Sequence, residues 1–120
     1  MNSKIELREL KFYAYHGVLP QETRVGNQYI LTVALTVPLA KAMESDNLND
    51  TIDYAAAYTV IKEEMAIPSK LLEHVAGRVL HSLKRHFPQL TGVQLSIAKV
   101  NPPIGGDIHS ASVVLEETYP

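Results

Sequence analysis

From Lys4 to Ala14, Ile5 and Leu7 alternate with charged neighbours, and the alternation resumes one step out of phase at Leu10 and Phe12. That period predicts a β-strand, and one inserted residue near Arg8 or Glu9 predicts a β-bulge. Tyr15 to Gln28 contains Gly17, Pro20, Gly26 and Asn27, follows neither period, and reads as a loop. A second strand follows, with Tyr29, Leu31, Val33, Leu35, Val37 and Leu39 on one face and Gln28, Thr32 and Thr36 on the other; Pro38 puts its far end at an edge or exit. Ser45-Asp46-Asn47-Leu48-Asn49-Asp50 is a run of turn formers separating strands from helices.

Asp53 is placed to cap a helix through Met65, with Tyr58, Ile61 and Met65 along one side, until Ile67-Pro68 interrupts it. Ser69 is the expected cap of a second helix. Its stripe of Leu72, Val75, Ala76, Val79, Leu80, Leu83 and Phe87 ends before Pro88. Val93, Leu95 and Ile97, then Ala111, Val113 and Leu115, mark two closing strands around a loop with Pro102-Pro103 and Gly105-Gly106. The order ββααββ predicts an α+β fold: a four-stranded antiparallel sheet with two helices on one face. Its uncovered strand edges predict lateral assembly with other copies.

The 120 residues suit a single domain over 1–120. With 11 basic and 13 acidic residues there is no cationic excess to bind nucleic acid. No apolar run reaches the length of a membrane span, and Met1 to Arg8 is charged rather than signal-like, so a cytoplasmic location is expected. The absence of Cys excludes disulfides, a thiolate nucleophile and Cys-based metal sites. His74, His81 and His86 lack the four-residue spacing that places two imidazoles on one metal, and His16 and His109 lie in or beside loops, so no metal is expected. There is no Gly-x-Gly-x-x-Gly, no Walker pattern and no Gly-x-Ser-x-Gly elbow.

Four residues stand out. Lys99 shares the strand parity of Val93, Leu95 and Ile97, which aims an ammonium at the core side; it either snorkels past the strand end or serves a function. Glu73 sits in the first turn of the second helix, where the helix dipole favours a carboxylate, and where two oxygens could also grip a guanidine-like edge. Glu22 reads as a solvated loop carboxylate. Tyr54 at the start of the first helix can pack, or stack on a flat ring and offer its hydroxyl for proton transfer.

Four stretches together resemble the dihydroneopterin aldolase family: Phe12-Tyr13-Ala14-Tyr15-His16-Gly17-Val18 with Glu22 and Gly26; Ser45-Asp46-Asn47-Leu48 with Asp50-Thr51-Ile52-Asp53-Tyr54; Leu71-Leu72-Glu73; and Lys99-Val100-Asn101-Pro102-Pro103-Ile104. The resemblance implies the tunnelling (T) fold, in which ββααββ subunits join sheets into a barrel, commonly an octamer of two tetrameric rings. It implies a pterin substrate held between subunits, with no cofactor, metal or Schiff base. Glu73 would anchor the pterin edge with backbone groups of Leu71 and Leu72, while Ile52 and Tyr54 would come from the neighbouring subunit. Lys99, Tyr54 and Glu22 would surround the reacting atoms, with retro-aldol cleavage and 2′ epimerisation as the implied chemistry. An epimerase acting on the triphosphate and a non-catalytic pterin binder are the competing readings. Val100, Asn27 and Tyr29 stand where relatives often have Pro, Gln and Phe.

Overall fold

A computed structural model describes residues 1–120. Strands β1 (Lys4–Ala14), β2 (Asn27–Thr36), β3 (Gly92–Val100) and β4 (Ser110–Thr118) form one sheet in the order β1-β2-β3-β4. Every neighbouring pair is antiparallel. The bulge predicted in β1 is present. Its register slips between Leu7 and Leu10, and Glu9 takes φ 55°, donating its N–H to Thr32 Oγ1 at 3.1 Å. This slip keeps both Leu7 and Phe12 directed at the core despite the phase change in sequence.

Two long helices lie between β2 and β3: α3 (Tyr54–Met65) and α4 (Leu72–His86). They pack on each other, with α3 also against β1 and α4 over β3 and β4. Asp53 caps α3 as expected, its side chain accepting the Ala55 N–H at 2.9 Å. Along α4, Val75, Ala76, Val79, Leu80 and Leu83 are buried against Tyr29, Leu31, Val33, Leu35, Val93, Leu95 and Ile97 of the sheet. Each large apolar side chain in that layer contributes about 1.5–3 kcal/mol.

Three local expectations change. The segment read as one loop contains a six-residue helix, α1 (Pro20–Val25), and the approach to the polar turn contains another, α2 (Ala40–Ser45), followed by a 3-10 turn at Leu48–Asp50. Strand β2 ends at Thr36 rather than Leu39. Ser69 does not cap α4, which begins after Leu71 without a side-chain cap. Ser69 is instead 7% exposed and committed to His16, His74 and Arg78.

The opposite face of the sheet carries Lys4, Glu6, Thr32, Ala34, Gln94, Ser96 and Val114 and has no covering layer. β1 and β4 each lack a partner on their outer edge. No helix is long and apolar enough to cross a membrane.

Candidate active site

Lys99 pairs across the sheet with Tyr29, which is fully buried, so its side chain leaves the core side of the sheet just where β3 ends. There Nζ donates to Glu22 Oε2 at 2.7 Å, and both side chains are only 12% exposed. Neither residue is solvated: the ammonium does not snorkel to water and the carboxylate is not a free loop charge. The two meet from 77 positions apart.

Helix α1 delivers Glu22. Pro20 starts the helix, the Glu22 N–H donates to the Leu19 carbonyl at 3.0 Å, and Glu22 Oε1 accepts the Leu19 N–H at 3.2 Å. Gly17 lets the loop close over that carboxylate. A Cβ at position 17 would lie 2.5 Å from Glu22 Cβ and Cδ, so only a hydrogen fits there. Burial pushes the Glu22 carboxyl up, but the Lys99 hydrogen bond and the amides of Leu19 and Val18 more than offset it, leaving the carboxyl below its ordinary range. At neutral pH Glu22 is therefore an acceptor with no proton to give. A cleft of about 310 Å³ adjoins it, lined by Glu22, Arg24, Gly26, Asn27 and Pro103.

A continuous series of contacts runs from this pair to the start of α4. Lys99 Nζ lies 5.9 Å from the centre of the Tyr29 ring. The Tyr29 hydroxyl donates to the His16 carbonyl at 2.7 Å, and the His16 ring stands edge-on to Tyr29 with centroids 5.1 Å apart. His16 Nδ1 accepts the Ser69 N–H at 2.9 Å, and the Gly17 N–H donates to the Ser69 carbonyl at 2.9 Å. Ser69 Oγ is 2.7 Å from His74 Nδ1 and accepts from Arg78 at 2.9 Å. Arg78 also reaches the Ile67 and Glu64 carbonyls and pairs with Glu64 at 2.8 Å, which fixes the turn between α3 and α4. Leu71, Leu72 and Glu73 follow at once, so their position is set from both sides.

Glu73 is exposed in the first turn of α4 and forms no ion pair or side-chain hydrogen bond. Leu71 is 51% exposed. The carboxylate and the free amides of the helix start thus form an exposed polar rim. Ile52 is buried just before α3, whereas Tyr54, the first residue of that helix, is 67% exposed. Within one chain nothing brings Tyr54 to Glu22 or Lys99. The structure joins Glu22 to Lys99, ties them to the Leu71–Glu73 segment, and leaves Tyr54 outside. No group of three or more His, Asp or Glu side chains converges in metal-holding geometry.

Sequence reasoning passed over His16, Tyr29 and Ser69 as parts of this site. His16 is 1% exposed, although its loop position gave no sign of burial. A signal did exist for Tyr29, whose hydroxyl stands in an otherwise apolar strand face and needs a partner when buried.

A family profile described as FolB, dihydroneopterin aldolase, matches residues 5–116. A dihydroneopterin aldolase from Staphylococcus epidermidis is 36% identical over 107 residues, 88% of each chain. Two solved structures share the fold at low sequence identity. The E. coli dihydroneopterin aldolase in complex with neopterin has a TM-score of 0.88 at 19% identity, over 96% of this chain and 98% of that one. A Burkholderia dihydroneopterin aldolase bound to guanine has a TM-score of 0.79 at 20% identity, over 99% and 93%.

Proposed function

The chain belongs to the dihydroneopterin aldolase family, and from that premise we propose how its residues divide the work of the reaction. The function is that of folate biosynthesis: 7,8-dihydroneopterin is cleaved to 6-hydroxymethyl-7,8-dihydropterin and glycolaldehyde. The observation that carries the proposed division is the Glu22–Lys99 pair, two charged side chains withdrawn from water at 2.7 Å beside an open cleft. Paired ionisable groups in that setting are costly to maintain for stability alone, because desolvation cancels much of their attraction.

Pterin and guanine share an edge with an amino group and an adjacent ring N–H, two parallel donors that match the two acceptors of Glu73. The backbone of Leu71 and Leu72 completes that edge. Tyr54 from a neighbouring subunit covers the ring face, with the backbone near Ile52 beside it. Glu22, ionised and already oriented by the Leu19 amide, accepts hydrogens from the side-chain diol or from a water placed against it.

Cleavage begins with removal of the 2′-hydroxyl proton, in which Tyr54 and water take part. The oxygen's electron pair becomes the carbonyl of glycolaldehyde as the C1′–C2′ bond breaks. The bond's electrons pass into the ring's C6=N5 imine, and N5 gains a proton delivered from Lys99 through water. Protonation at C1′ and loss of the N5 proton complete the product. The substrate's own imine is the electron sink, so neither a metal nor a Lys Schiff base is required. The same C1′–C2′ cleavage, followed by attack of the enamine C1′ on the other face of the glycolaldehyde carbonyl, re-forms the bond and epimerises C2′.

The two free sheet edges and the bare sheet face support assembly into a barrel, proposed as an octamer of two tetrameric rings. The proposed location is the cytoplasm, and neither nucleic acid nor membrane is a partner. Product analysis by chromatography after incubation with dihydroneopterin, dihydromonapterin and the triphosphate tests the function. Glycolaldehyde from the first two is expected. Interconversion of triphosphate isomers without cleavage would replace aldolase by epimerase. Dialysis against chelator should leave turnover intact, and borohydride added with substrate should leave the protein mass unchanged; a change in either removes the metal-free, Schiff-base-free mechanism.

A further inference from the structure

His16 is buried, is not a reacting group in the mechanism above, and has an unusual hydrogen-bond balance. Its Nδ1 accepts the Ser69 amide, so the neutral ring carries its proton on Nε2, and Nε2 is buried without a hydrogen-bonded partner. An apolar residue of similar bulk would remove that orphaned donor, yet it would also leave the Ser69 N–H without its acceptor. What the imidazole supplies here is therefore the Nδ1 bond. On either side of that bond lie the two halves of the site. The Gly17 amide, next in the chain, binds the Ser69 carbonyl, and Gly17 itself packs directly on Glu22. Two residues beyond Ser69 the chain reaches Leu71, the N-cap of α4.

We infer that His16 is a positioning residue: through Nδ1 it clamps the Ser69 turn to the Gly17 loop and so fixes the spacing between the Leu71–Glu73 rim and the Glu22–Lys99 pair. This rests on the division of work proposed above. A pterin seated on Glu73 has its side chain delivered to Glu22 and Lys99 only if that spacing is held, since misplacement of reacting groups by about 1 Å lowers rates by about 100-fold. The ring is suited to the task because it stays neutral. Burial, with the nearby Arg78 and Lys99 cations, lowers it from 6.5 to about 4, while the Met65 carbonyl draws it the other way without closing a hydrogen bond. Throughout the neutral range Nδ1 remains an acceptor.

Three variants of the full oligomer test this. His16→Asn keeps an acceptor at the place of Nδ1, His16→Gln moves the polar group one bond further out, and His16→Leu removes it. Guanine serves as a probe of the rim alone, and 7,8-dihydroneopterin spans both halves. The expected result for His16→Leu is a fall in kcat of roughly 10- to 100-fold, with guanine affinity within about threefold of wild type and with His16→Asn recovering most of the rate. If His16→Leu does not assemble, His16→Asn should exceed His16→Gln in kcat by a comparable factor at similar guanine affinity. An unchanged kcat in His16→Leu, a parallel loss of turnover and guanine binding, or an Asn variant no better than Gln overturns the inference. Wild-type protein that released no glycolaldehyde would instead refute the function itself.

Discussion

At one end of the site, Glu22 and Lys99 are each 12% exposed and bonded to each other; at the other, Glu73 has no side-chain partner, and Tyr54, which a single chain leaves outside the site, is 67% exposed. The first end is finished within a single chain. Its charges are already desolvated and oriented, which in the proposed mechanism leaves little reorganisation for the chemical step. The second is open, its carboxylate and helix amides exposed; in the proposed mechanism a pterin and Tyr54 of a neighbouring subunit cover them. The proposed division of work thus puts binding and chemistry in regions of different exposure, joined by the bonds from Tyr29 through His16 to Ser69.

The sharpest way to break this contrast is at the closed end. Lys99→Ala should lower kcat by about 1,000-fold, the range of a lost proton-transfer group, while pterin binding measured by equilibrium titration changes little. An equal loss of both would mean that the two ends are not functionally separate.

The link between the ends is sensitive to acid. The unfolded chain protonates the His16 ring near 6.5, whereas the folded chain holds it off until about 4, so its neutral form favours folding above 6.5 and that contribution is lost as pH falls through 4. The total is on the order of 3 kcal/mol. Glu22 acts in the same direction at lower pH: its lowered carboxyl contributes stability above the ordinary carboxylate range, lost as pH falls through the folded-state value. Urea unfolding across acidic pH should show a steep decline between 6.5 and 4 that His16→Asn flattens. A variant curve parallel to wild type would contradict it.

At the open end, Glu73→Gln removes one charge-assisted acceptor and leaves the fold untouched. KM for 7,8-dihydroneopterin should rise roughly 10- to 100-fold with kcat much less affected. A kcat effect without a KM effect would move Glu73 into the chemistry. Smallest of all, Tyr29→Phe removes the hydroxyl bond to the His16 carbonyl and should cost about 1 kcal/mol in thermal or urea unfolding, with near-normal turnover.

The same contrast separates what could be read from sequence. The strands, the β1 bulge, the Asp53-capped helix and the α4 stripe follow from periods and caps, which are local and survive in the folded chain. Lys99 stood out because strand parity aimed its charge at the core. Glu22 did not, because its burial depends on a lysine 77 residues away and on a glycine with no room for a side chain. Helices α1 and α2, of six residues each, are too short to show a period. Ser69 looked like a cap since serine before a helical stripe often is one, but tertiary bonds to His16, His74 and Arg78 claim it instead. Tyr54 could be linked to the site only through the family resemblance, and one chain alone leaves it outside.

Mixing two inactive variants tests that last point most directly. Lys99→Ala spoils the closed end and Tyr54→Ala the open one, so if each site takes these residues from different subunits, some sites in a mixed oligomer are intact. After unfolding and co-refolding in equal amounts, glycolaldehyde release should recover to about a quarter of the wild-type rate, the fraction of randomly assembled sites with both halves whole. Activity no greater than the mean of the two separately refolded variants would contradict a site shared between chains.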